Sequence, residues 1–252
     1  MRLAPVILAS IAPVLMGQAK PQLVPEVSQD NIQIRYSFTG AELLLFGAIV
    51  YPGGRIPEGQ SDIAVVVKGP TERIVVREKQ KVAGIWMNVE SARFRSAPAF
   101  YAIASSRPLD RIIDERTAAI YELGLGNLQL SPATGNPVEV QQRFEDGLIA
   151  LRDRTQLYQE DPDGVQIRDG VLYRASINIP ARVPVGDYTA ETFLIRNGRV
   201  IAGEAREVRI EKFGFERFVA NAAEQWSLAY GLAAVAVSVL LGWAGSAILR
   251  RR

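Results

Sequence analysis

The 252 residues carry 29 basic and 27 acidic side chains, a formal net charge of +2, so the chain has no global field of the kind that holds nucleic acid. It contains no cysteine and no histidine, which excludes disulfides, thiolate nucleophiles, zinc–thiolate sites and the side chain that titrates nearest neutrality. A carboxylate pair, a lysine or a serine–lysine dyad can still catalyse, but no spacing singles one out, and the expectation is a non-catalytic protein without a cofactor.

After Met1 come Arg2, an apolar stretch over 3–16 interrupted by Pro5, Ser10 and Pro13, and then Gly17-Gln18-Ala19. The stretch is shorter than the roughly 20 residues a spanning helix needs, and small residues stand where a signal peptidase accepts them. Residues 1–19 therefore read as a signal peptide cut after Ala19.

A first β-sandwich is expected over 20–106. Ile32-Gln33-Ile34-Arg35-Tyr36-Ser37-Phe38 alternates with period two, and a second apolar run follows over 43–50 after Thr39-Gly40. Residues 51–60 are rich in glycine and proline and read as a loop. Strands are expected over 62–68, stopped by Gly69-Pro70, and over 74–77 and 82–89. Lys68, Arg73, Arg77, Lys79 and Lys81 make a basic stretch that suits an anionic lipid or solute, or else a solvated edge strand guarded by lysine. Trp86, with Phe100-Tyr101 downstream, suits a binding groove, but a core position is the stronger expectation because of the apolar area it removes from water.

The stretch 107–160 reads as a helical connection, with helices over 110–121 and 138–158 and with Phe144, Leu148 and Leu151 on one core-facing side. Glu160, Asp161 and Asp163 resemble an oxygen-rich cation loop, but Asp161-Pro162-Asp163-Gly164 is ordinary turn chemistry and no metal is expected. A second β region follows over 161–211, with strands over 165–168, 171–179, 188–196 and 200–210. Asn197-Gly198 signals a type I′ hairpin. Pro184-Val185-Gly186-Asp187-Tyr188 resembles the entry to an immunoglobulin-like strand, where a tyrosine pins the corner to nearby backbone.

Residues 212–226 read as a juxtamembrane segment in which Phe215, Phe218 and Val219 recur at helical spacing. The stretch 227–249 contains no charged residue and is followed by Arg250, Arg251 and Arg252, so it reads as a single transmembrane helix with a cytoplasmic tail at 250–252. Trp226 and Tyr230 suit its outer headgroup zone. Along it Ala234, Ser238, Gly242 and Ser246 recur every four residues as a stripe of small side chains, a face against which a neighbouring helix can pack. The fold class is thus mainly β: two immunoglobulin-like β-sandwich regions, an intervening helical segment and one C-terminal transmembrane helix.

Phe38-Thr39-Gly40 with Phe46-Gly47, Val65 to Val67 with Gly69-Pro70, Gly84-Ile85-Trp86-Met87-Asn88, Phe100-Tyr101, Pro184-Val185-Gly186-Asp187-Tyr188 and Gly242-Trp243 together resemble the transmembrane-protein family of alphaproteobacteria, over nearly the whole chain. The resemblance implies an inner-membrane protein with a periplasmic domain, brings no catalytic residue, and hints at an accessory role beside permeases of the sulfite-exporter type. The expected partners are the lipid bilayer and either a polytopic membrane protein or a second copy. The function expected is a membrane-anchored periplasmic interaction protein, with a periplasmic solute-binding or sensing domain as the alternative.

Overall fold

The computed structural model describes residues 20–28, 31–35, 40–133, 135–213, 223 and 225–249, and of 31–35, 212–213, 229, 233 and 244–249 the backbone alone. The signal peptide, the juxtamembrane Phe215, Phe218 and Val219 and the arginine tail lie outside the described residues.

Alternating sequence produces strands, and where they pair decides the architecture. Strand β1 (Gln22–Val27) buries every second side chain, and β3 (Ala41–Val50) does so in its first half. These two pair with β11 (Leu172–Ile179) and β10 (Val165–Arg168) in a four-stranded sheet of order β1-β3-β11-β10. A six-stranded sheet lies against it in the order β2-β13-β12-β4-β7-β9, formed by β2 (Asn31–Arg35), β4 (Asp62–Lys68), β7 (Tyr101–Ser105), β9 (Tyr158–Asp161), β12 (Gly186–Arg196) and β13 (Arg199–Phe213). One continuous core, including Leu43, Leu45, Tyr173 and Ile177 of the first sheet and Val65, Val67, Ile103 and Val208 of the second, fills the space between them.

The expectation of two separate sandwich regions is corrected here. Strand β3 is paired with β11 from Ala41↔Ile179 through Ala48↔Leu172, and β4 with β12 from Asp62↔Ile195 through Lys68↔Thr189. Residues from both ends of the chain therefore share both sheets. The sheets are also not wholly antiparallel, because β2 runs parallel to β13 and β9 parallel to β7.

The helical stretch covers the outer face of the six-stranded sheet. The helix expected over 110–121 is two, α1 (Leu109–Ile112) and α2 (Glu115–Tyr121), because Asp114 breaks off to cap the second, its Oδ1 accepting the Thr117 N–H at 2.7 Å. Ile112, Ala118 and Leu123 join the main core, Tyr121 meets the Phe193 ring edge-on at 5.4 Å, and Lys68 pairs with Glu122 and Glu191. That cover explains why β4 is buried on both faces, with a continuous apolar run in place of alternation. Helix α3 (Val138–Arg154) buries Phe144 and Leu148, whereas Leu151 is exposed, a correction to the three-residue face.

Two local readings are met by the geometry. Asn197 and Gly198 both have positive φ, 51° and 77°, and close the β12–β13 hairpin as a two-residue turn between Arg196 and Arg199. The Tyr188 hydroxyl donates to the Pro184 carbonyl at 2.8 Å, pinning the corner where β12 begins.

The last element, α4 (Ser227–Leu249), is a helix of 23 residues. Among the described residues no helix is long and apolar enough to cross a membrane. Side chains on α4 are described without a gap only from Ala234 to Trp243.

Candidate functional site: a projecting basic hairpin

The chain leaves the six-stranded sheet at Gly69-Pro70 and returns to it at Ala99-Phe100. Between them lie β5 (Thr71–Val82) and β6 (Ile85–Pro98), paired antiparallel from Thr71↔Pro98 to Val82↔Ile85. The Gly69 N–H donates to the Phe100 carbonyl and the Ala99 N–H to the Pro70 carbonyl, both at 2.8 Å. The hairpin is therefore a continuation of the β4–β7 pair, and on the returning side its root, Ala97 to Phe100, is buried. At roughly 3.3 Å per residue, the 12 residues of β5 carry it about 40 Å.

The root is built closely. The Phe100 and Tyr188 rings meet at a tilt of 55° with centroids 6.0 Å apart, and a Cβ on Gly69 would lie 2.8 Å from the Tyr188 ring, so only glycine lets the strand pass. The Tyr158 hydroxyl donates to the Pro98 carbonyl at 2.8 Å, and burial pushes that phenol up to about 12. Burial likewise raises the Tyr188 phenol.

Alternation then sorts the hairpin into two unlike faces. One packs on α3: Ile74, Val76, Ala92, Phe94 and Ala97 close a second small core with Phe144 and Leu148. The carboxylates lie on this side, with Arg143 paired to Glu78 and Glu90 and Arg152 to Glu72. A short strand, β8 (Ser131–Pro132), adds to β6 and leaves β5 at the edge.

The opposite face carries Arg73, Val75, Arg77, Lys79 and Lys81 of β5, all exposed, with Arg93 opposite Val75 and Trp86 opposite Lys81. Arg95, one alternation from Arg93, is exposed as well. Among the described residues none of these six cations makes an ion pair. The turn is Ala83-Gly84, with φ of 50° and 87°, and beyond the reach of α3 both faces open to solvent. Ile85 is 71 % and Trp86 67 % exposed, with Val82, Met87 and Val89 exposed beside them. Contiguous apolar side chains left in water mark an interaction site.

The structure separates residues that the sequence set side by side. Trp86 is not in the core, and Phe100 and Tyr101 are fully buried at the other end of the hairpin, so the three line no common groove. Lys68 belongs to the Glu122 and Glu191 ion pairs and not to the basic face. Asp161 Oδ1 accepts the Asp163 N–H at 3.2 Å, a turn contact, and Glu160 accepts the Leu125 N–H at 3.2 Å. A cavity of about 360 Å³ lies among Tyr51, Ser61, Asp62, Ser106 and Ile167. Its buried Asp62 already accepts from Ser106 at 2.8 Å and from the Arg107 guanidinium, a tie between strands. On α4, Ala234, Ser238 and Gly242 are exposed, and the Ser238 hydroxyl donates to the Ala234 carbonyl at 2.8 Å. The Ser246 side chain lies outside the described residues.

The family described as "Putative transmembrane protein (Alph_Pro_TM)" matches residues 22–251. The chain belongs to that family. The match takes in both sheets, the hairpin and α4 together. No curated protein matches the chain. Among solved structures, the sporulation control protein Spo0M from Bacillus subtilis is similar at 11 % identity and a TM-score of 0.30, over 82 % of this chain. The chain spans 56 % of the length of Spo0M, and a likeness at that score carries no further argument.

Proposed function

We propose that the chain is a membrane-anchored periplasmic interaction protein without catalytic activity, an accessory subunit of a membrane transport complex. The observation that carries the reading is the character of α4. Leu228, Val235, Val237, Leu240, Leu241 and Trp243 are all exposed and, at 3.6 residues per turn, point to every side of the helix but that of its small residues, with no charged residue among them. A helix apolar all round is stable only where something other than water surrounds it. Its 23 residues extend about 35 Å, enough for a hydrocarbon layer of about 30 Å. The family's description agrees with that reading.

The signal-like start and the arginines after α4 support an exported sandwich with its C-terminus in the cytoplasm. Absence of histidine and cysteine, and the mutual satisfaction of Asp62 and Arg107, favour binding over chemistry. Small residues on α4 allow close approach of a second helix, and the Ser238 hydroxyl, occupied within its own helix, leaves that stripe to van der Waals packing.

Purification of the tagged full chain from gently solubilised membranes tests the assignment. A polytopic membrane protein is expected in fixed proportion, lost in Gly242→Ile and retained in Leu240→Ile. Recovery of the chain alone contradicts the accessory-subunit reading.

A further inference from the structure

We propose that the β5–β6 hairpin is a membrane-docking arm whose apolar tip enters the headgroup boundary of the bilayer while its basic face lies against anionic phospholipid. The proposal rests on the anchoring of α4 in that same bilayer and adds a second point of contact.

The order of chemistry along the arm matches the order of chemistry across a bilayer surface. Val82, Ile85, Trp86 and Met87 surround the turn, and Lys81 and Lys79 follow within the next residues of β5. Amphipathic segments bury their apolar side about 5–10 Å into the headgroup and acyl boundary, a depth that two or three strand residues cover. Trp86 then sits where tryptophan is most favoured, and the lysines reach the phosphates along their own stems. Behind them Arg77, Arg73 and Arg93 continue the same sign without a carboxylate on that face.

Charge selects lipid over a protein partner. Protein interfaces are enriched in tryptophan, methionine and arginine but depleted in lysine, and here two lysines stand closest to the apolar tip. Uniform positive charge along one face is the complement of a continuous anionic surface. The strands between tip and root are braced by α3 through its Arg143 and Arg152, so the arm presents this face as a rigid unit. Phe213 ends β13 and Ser227 begins α4, so even a fully extended link of the intervening 13 residues reaches only about 45 Å. The sandwich is held close to the surface its arm meets.

The test uses the full chain carrying Trp226→Phe and Trp243→Phe, which leaves Trp86 as its single tryptophan. It is reconstituted into vesicles of phosphatidylcholine, with or without phosphatidylglycerol, containing lipids brominated on the acyl chain. Trp86 fluorescence is expected to be quenched in the anionic vesicles and to recover at high salt. Each cation near an anionic surface changes partitioning about fivefold, so Arg77→Gln, Lys79→Gln and Lys81→Gln together should weaken docking roughly a hundredfold. Quenching that is absent from anionic vesicles, or that survives the triple substitution unchanged, overturns the arm's assignment to lipid. Flotation of the same samples separates the two readings: a chain that floats with unquenched Trp86 loses only the docking arm, whereas one that does not float loses the anchor as well.

Discussion

A fragment of residues 20–106 is expected to be unfolded on its own, as is a fragment of residues 161–213. The first contains seven strands, enough by number for a sandwich, but its pairings are only β1 with β3, β4 with β7, and β5 with β6. Isolated two-stranded pairs are marginal in water. Strand β4 would lose β12 along its whole length and bare Val65 and Val67, β3 would lose β11, and β2 would lose its parallel neighbour β13. The second fragment keeps two hairpins without the sheets that bury them. Amide chemical-shift dispersion reads the outcome directly: narrow spectra for each fragment and wide ones for residues 20–213. A cooperative melting transition in the first fragment alone would return the architecture to two independent units.

Tyr188→Ala is expected to cost about 3–5 kcal/mol, the range for removing a buried aromatic ring, and to lower Tm by roughly 6–20 °C in a domain of this size. The ring is fully buried against Phe100 and above Gly69, and it sits where the β4–β7 pair passes into the hairpin. Its removal opens a cavity at the root of the arm. Tyr188→Phe keeps the packing and loses only the bond to the Pro184 carbonyl, which is expected to cost about 1 kcal/mol. Thermal melts of the two variants separate packing from pinning. Equal losses would show that the hydrogen bond, and not the ring, holds the corner.

These two expectations also mark what the sequence makes legible. The β4 run, the Tyr188 corner and the Asn197-Gly198 turn are local: each depends on residues within a few positions of one another, and each is met. Pairing of Leu43 with Ile177 or Val65 with Thr192 joins segments far apart along the chain. Period-two alternation says that a strand has a buried face but not which strand lies beside it, so one sandwich reads as two. Pro25 hides β1, which tolerates it at the sheet edge.

The arm was hidden by its turn. Ala83-Gly84 closes it, and alanine at positive φ carries little of the signal that asparagine does in Asn197-Gly198. Without that turn, residues 74–89 look like separate strands of a sheet and Trp86 looks like core. Its exposure follows from length instead: α3 braces the hairpin as far as Glu78 and Glu90, and the residues beyond have nothing to pack on. The basic residues were legible as a group. Their sorting onto one face, away from Glu72, Glu78 and Glu90, needed the register.

Attachment through α4 is tested most directly by alkaline carbonate extraction of membranes holding either the full chain or a chain ended at Phe213. The full chain should stay with the membrane pellet, as an apolar helix in the bilayer requires. The shortened chain should be released with its sandwich folded, since weak docking by the arm does not survive alkaline salt. Release of the full chain alongside the shortened one would contradict the membrane anchor on which the proposed function stands.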